Sequence, residues 1–169
     1  MANYSISKII QQAYGEAYAG GVEEALTHLR RALQLPDQDG LLSEAVGFIC
    51  FQNARYAEAA DAYAVAMQTD PQDARRLYYM ALSMSLANRW EDAQASLSRV
   101  AAQNPASAAP TASSCLVLLE RNDIAAAREA YNRARQTLHD HPRQTAQTMG
   151  LMEQCAQAML ALSADVAQQ

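Results

Sequence analysis

At 169 residues the chain is long enough to bury one substantial core, and eighteen Asp+Glu against thirteen Lys+Arg give it a net charge of −5. No basic run exceeds two residues, which excludes nucleic acid as a partner, because phosphate binding needs a concentrated cationic surface. Half the residues are hydrophobic, many of them alanine, and glycine (6) and proline (5) are scarce, so helix is favoured throughout: alanine carries the lowest helical cost.

The opening segment lacks the uninterrupted apolar core of a signal peptide. Nowhere does the chain approach the ~18–20 consecutive apolar residues that span a bilayer. A cytoplasmic protein with no membrane contact is expected. Ile6, Ile9, Ile10, Ala13 and Tyr14 form an apolar stripe near the start, suited to covering the next helices or to meeting a second copy. Gly20 and Gly21 mark a turn, a second helix follows, and Pro36-Asp37-Gln38-Asp39-Gly40 reads as a break.

The chain then repeats itself every 34 residues. Ala25, Ala59, Ala93 and Ala127 share one position, and Ala32, Ala66, Val100 and Ala134 another. Leu29, Tyr63, Leu97 and Tyr131 form a third series, Tyr56, Trp90 and Ile124 a fourth, and Pro71 and Pro105 a fifth. Small residues permit the close approach of paired helices, large ones fill the space between neighbours, and the prolines end a second helix. Residues 40–73, 74–107 and 108–141 are therefore three helix pairs of the tetratricopeptide type. Residues 6–39 keep the small positions but hold Val22 in the aromatic series, so they are a degenerate repeat or a distinct N-terminal helical unit. After Pro142, residues 143–164 carry Met149, Met152, Ala156, Met159, Leu160 and Leu162 at mostly helical spacing. A repeat array exposes its last apolar face, and this helix is expected to cap it. The expected fold is an all-α tetratricopeptide superhelix, a single α-solenoid domain with N-terminal helices and a C-terminal capping helix.

Stacked helix pairs curl so that first helices line a concave side. In the repeat frame the inward positions are Leu41, Glu44, Phe48 and Phe51 in the first pair. They are Arg75, Tyr78, Leu82 and Ser85 in the second, and Ala109, Ala112, Leu116 and Leu119 in the third. Both phenylalanines of the chain fall there. With Tyr78, Leu82, Leu116 and Leu119 they predict an apolar groove of the kind that binds partners. The competing reading packs these residues against the N-terminal helices or into the repeat core. Glu44 and Arg75 would flank the groove and orient a peptide backbone, or stand as solvated charges.

No catalytic constellation is present. His139-Asp140-His141 lies in an expected loop with no further ligand in reach, so no metal or other cofactor is expected. Cys50, Cys115 and Cys155 are widely spaced, form no C-x-x-C pair and read as buried, reduced packing residues. A non-enzymatic protein is expected.

Residues 41–56 (LLSEAVGFICFQNARY), 73–90 (DARRLYYMALSMSLANRW) and 109–127 (APTASSCLVLLERNDIAAA) together resemble the class II chaperones of bacterial type III secretion. The likeness rests on length, acidity, three central repeats, an aromatic-lined first helix, Asp73-Ala74-Arg75, the Ser113-Ser114-Cys115-Leu116 pattern and a trailing helix. Two departures stand out: Glu44, Phe48 and Phe51 replace tyrosines, and Ala109, Pro110 and Ala112 replace bulkier residues. The resemblance implies a chaperone that keeps a hydrophobic translocator protein soluble by holding an extended N-terminal segment of it in the groove. It also implies a homodimer through the N-terminal stripe. The alternative is a generic tetratricopeptide scaffold for another protein complex.

Overall fold

The computed structural model describes residues 2–34 and 40–167, with side chains over 6–34 and 40–161. The expected break at 36–39 and the side chain of Leu162 lie outside the described residues. The helices in chain order are α1 (Ala2–Tyr18), α2 (Val22–Ala32), α3 (Leu41–Gln52), α4 (Tyr56–Ala66), α5 (Ala74–Leu86), α6 (Trp90–Gln103), α7 (Ala109–Glu120), α8 (Ile124–Asp140) and α9 (Ala146–Ala167). They fall into two compact units, residues 1–71 with α1–α4 and residues 72–169 with α5–α9.

The 34-residue step is written into the backbone. The second helices α2, α4, α6 and α8 begin at Val22, Tyr56, Trp90 and Ile124, in register with the sequence series. Each follows a turn whose hinge residue is left-handed: Gly20 (φ 93°), Ala54 (φ 57°), Asn88 (φ 58°) and Asn122 (φ 60°). The next amide in each turn reaches back to close the preceding helix. Gly21, Arg55, Arg89 and Asp123 donate to the carbonyls of Glu16, Cys50, Met84 and Leu118 at 2.8–2.9 Å. This is the bonding of a Schellman motif, which satisfies a carbonyl the helix end would leave bare. The α1–α2 turn shares it, although that pair lacks the aromatic Tyr56–Trp90 position.

In the first unit, α1 packs on α2 and α3, and α3 on α4. The small positions work as the spacing suggests: Ala25, Ala59 and Ala66 are sealed from solvent, as are Leu29 and Tyr63. Gly47 lets α3 approach α4 at close range. A Cβ there would lie 2.9 Å from the Tyr63 ring. Gly40 opens α3 in the left-handed region, and a Cβ would stand 2.9 Å from the Ala66 carbonyl. Across the outer helices, Arg30 of α2 pairs with Glu58 of α4 at 2.8 Å, and Arg55 pairs with both Glu58 and Glu23. These pairs are solvated and each is worth little.

In the second unit, α5 packs on α6 and α7, α7 on α8, and α9 on α7, α5 and α8. Asp73 caps α5 by accepting the backbone amides of Arg75 and Arg76 at 3.0 and 2.9 Å, which gives the Asp73-Ala74-Arg75 motif a structural reason. Asp123 caps α8 through the Ala126 amide. Two expectations need correction. His139 and Asp140 belong to the last turn of α8, which runs on to Asp140 because no breaker comes before Pro142. The final helix starts at Ala146 rather than 143. Gln144 is spent instead on a tether, accepting from the Ala108 amide and donating to the Ala106 and His141 carbonyls. Thr145 then caps the helix through the Thr148 amide.

Candidate partner-binding site

The predicted groove residues sit on α3, α5 and α7, and the two units bury them to different extents. In the first unit Leu41 is exposed at the start of α3, and Glu44, Phe48 and Phe51 are half-buried. Phe48 meets Tyr14 of α1 edge to face, with ring centroids 5.5 Å apart and planes at 70°. Tyr14 and Phe48 occupy the same repeat position one period apart. Phe51 turns instead to Tyr56 at the head of α4, at 5.7 Å.

Between α1 and α3 opens a cleft of about 240 Å³ lined by Tyr14, Ala17, Tyr18, Phe48, Ile49, Gln52 and Asn53. Its floor is aromatic and aliphatic, and its rim carries two carboxamides. Asn53 is held by donating to the Ile49 carbonyl at 2.8 Å. Tyr18 stands 83% exposed at the mouth. Small-molecule pockets span ~300–1,000 Å³; this cleft is smaller, with room for about one large side chain. Of the residues around it, Phe48 was expected in a groove and Tyr14 in a dimer stripe. The repeat pattern alone does not mark Ala17, Tyr18, Gln52 and Asn53, although the shared repeat position of Tyr14 and Phe48 points to their neighbourhood. The rest of the stripe is partly used inside the unit: Ala13 is fully buried, while Ile6, Ile9 and Ile10 are half-buried.

In the second unit the corresponding face is covered. Ala109, Ala112 and Leu116 of α7 share a buried cluster with Leu151, Met152 and Cys155 of α9, and Tyr78, Leu119 and Met159 pack against it. The Cys155 thiol donates to the Ala112 carbonyl at 3.3 Å. Leu82 and Leu116, at the repeat position of Tyr14 and Phe48, are 7% and 9% exposed. Burial, with Glu120 and Tyr79 adding, pushes the Tyr78 phenol up to about 12. Arg75 remains exposed in the first turn of α5. Thus α9 does more than close the end of the repeats: it lies on inward positions of α5 and α7.

A second cleft of about 230 Å³ lies among α6, α7 and α8, with Gln94, Ser98, Thr111, Ser114 and Arg133 in its lining. It has no aromatic anchor. The His28 ring pairs with Glu16 at 2.7 Å. Among the described residues, no group of three or more His, Cys, Asp or Glu is placed to hold a metal ion. Among them, too, no helix is long and apolar enough to cross a membrane.

No protein-family model matches the chain, and no curated protein matches it. Solved structures do. A crystal structure of MamA is 14% identical, with a TM-score of 0.57 over 80% of this chain and 79% of that one. MamA residues 41-end from Desulfovibrio magneticus RS-1 is 16% identical, with a TM-score of 0.55 over 80% and 76%. YrrB, described as a TPR protein with an unusual peptide-binding site, is 18% identical, with a TM-score of 0.50 over 93% and 90%. At such identities the likeness is one of fold: this is an all-α protein of tetratricopeptide-type helix pairs.

Proposed function

We propose that the chain holds a segment of another polypeptide on the inner face of its helix pairs, with the α1–α3 cleft as the anchoring pocket. The observation that carries this reading is the Tyr14–Phe48 pair beside an open, amide-rimmed cleft. Aromatic residues at a rigid pocket dominate partner binding, and carboxamides recognise a backbone without demanding a side-chain sequence. Leu41, Glu44 and Phe51 extend the contact along α3, and Arg75, Tyr78, Leu82, Leu116 and Leu119 are the candidates in the second unit. Burial of an apolar segment needs no nucleotide and no chemistry.

The finer reading is a cytoplasmic chaperone of type III secretion holding a hydrophobic translocator through its extended N-terminal segment. Its support is the sequence resemblance over the three central repeats. A homodimer belongs to the same reading. Ile6, Ile9 and Ile10 are the residues left for it, since Ala13 is buried and Tyr14 faces Phe48. A generic scaffold is the second reading. It is favoured by the cover that α9 places over α5 and α7, which leaves less of the second unit's own face open to an extended segment.

Co-expression with hydrophobic translocators followed by pull-down should recover a complex. Phe48→Ala should weaken it about thirtyfold, or about 2 kcal/mol. Unchanged affinity in a folded Phe48→Ala variant would remove the cleft from the binding surface. Failure to capture any translocator would remove the secretion reading alone.

A further inference from the structure

Cys115 of α7 and Cys155 of α9 meet in the core of the second unit. Both are fully buried in the one apolar cluster that α7 and α9 share, and Ala112, which the Cys155 thiol meets, stands one turn before Cys115 on α7. The Cys155 thiol also lies 3.3 Å from the Ala112 carbonyl oxygen. Cys115 occupies a small position of the repeat, where the other pairs carry Ala13, Gly47 and Ala81, all buried. Packing alone therefore asks for no sulfur there. We propose that Cys115 and Cys155 are a thiol–disulfide pair, joined within one chain by a low-molecular-weight disulfide such as oxidised glutathione, and that the bond fastens α9 over the inner face of α5 and α7.

Both sulfurs are sealed while α9 is seated, so the reaction begins when α9 opens locally. Cys115 is the first nucleophile. The neighbouring Cys155 holds the Cys115 thiol below the usual range, while Cys115 together with burial pushes Cys155 up; the Cys155 S–H itself is spent on the Ala112 carbonyl. The Cys115 thiolate attacks one sulfur of oxidised glutathione, breaking its S–S bond and expelling one glutathione thiolate. When α9 reseats, the Cys155 thiolate attacks the Cys115 sulfur, forms the intrachain bond and expels the second glutathione. The two thiol protons and two electrons end on the two glutathione molecules, so one disulfide is exchanged for another. Cys50 is buried in the first unit and takes no part. That the latch also withholds Tyr78, Leu116 and Leu119 from a partner rests on the function proposed above; the disulfide itself does not.

Treating the folded full chain with oxidised glutathione should remove two hydrogens from its intact mass. Peptide mapping should find Cys115 joined to Cys155, in the native chain and in Cys50→Ala alike, and dithiothreitol should reverse it. Cys155→Ser should stop at a glutathione adduct on Cys115. Closing the loop between the two cysteines should slow amide hydrogen exchange across α9 by about a hundredfold. The pair is overturned if both thiols stay free under conditions that oxidise the unfolded chain, or if Cys50 is one of the joined sulfurs. The latch is overturned if the bond forms and α9 exchanges as fast as before. A linked, protected α9 in a chain that captures no partner would leave the latch standing and remove the proposed function only.

Discussion

The inner face of α1 and α3 and the inner face of α5 and α7 descend from one repeat pattern but are used in opposite ways. At a single repeat position the first unit carries Tyr14 and Phe48, half-buried beside an open cleft. The second carries Leu82 and Leu116, both buried, with Leu116 in a cluster shared with α9. An aromatic left half in water is expensive unless something covers it, whereas an aliphatic residue under a helix is already covered. The pairing of large rings with an open face and smaller side chains with a closed one separates a surface left open from a surface finished by the chain itself.

The strongest way to break that comparison is to truncate the same position in both units. Leu116→Ala should lower unfolding free energy by about 3 kcal/mol, the usual cost of a buried leucine whose site cannot collapse. Phe48→Ala should cost only about 1 kcal/mol, because half of its ring is already solvated and one edge-to-face contact is lost. Urea unfolding of the two variants measures the difference. Equal losses would mean that Phe48 is a core residue like its counterpart. Next in size is Gly47→Ala. Alanine is the better helix former by about 1 kcal/mol, yet its Cβ would sit 2.9 Å from the Tyr63 ring. Overpacking costs about 1–3 kcal/mol, so the net should be a loss, where the equivalent Ala13 and Ala81 already carry a Cβ in buried sites.

The helix pairs were legible because two constraints repeat together: the small residues that set helix separation and the turn that reverses the chain. The register of Val22, Tyr56, Trp90 and Ile124 shows how closely turn geometry follows the sequence period. The series Ala13, Gly47, Ala81 and Cys115 was equally present in the sequence, but it is visible only once helix phase is known. The placement of α9 was harder. Its Met152, Cys155 and Met159 show an apolar face without saying which surface it meets. The hint lay elsewhere, in Ala109 and Ala112 standing where bulkier residues line a groove: small side chains on an inward face leave room for another helix. Phase alone separates Phe48, which lines the cleft, from Phe51, which turns to Tyr56. Cys115 and Cys155 lie 40 positions apart and no local spacing announces that they share a cluster.

The second unit also buries two hydroxyls. Ser83 of α5 and Ser113 of α7 are fully buried, and neither hydroxyl has a hydrogen-bond partner among the described residues. An unsatisfied buried hydroxyl costs about 1–3 kcal/mol, and alanine is nearly isosteric with serine. Ser113→Ala and Ser83→Ala should each stabilise the chain by about 1 kcal/mol, seen as a higher urea midpoint at unchanged slope. A loss instead would reveal a hydroxyl that water reaches.

The smallest expected effect tests the turns rather than the faces. Ala54 is left-handed at φ 57°, where the other three turns place Gly20, Asn88 and Asn122. A Cβ in that region costs about 1–2 kcal/mol, and asparagine offsets much of it by local hydrogen bonding. Ala54→Gly removes that strain but adds about 0.5–1 kcal/mol of backbone entropy to the unfolded chain. The net gain should be about 0.5 kcal/mol in the first unit, while Asn88→Gly and Asn122→Gly in the second should be close to neutral. If Ala54→Gly destabilises, the α3–α4 turn is not held against strain, and the Arg55 amide bond to the Cys50 carbonyl is not the feature that fixes where α4 begins.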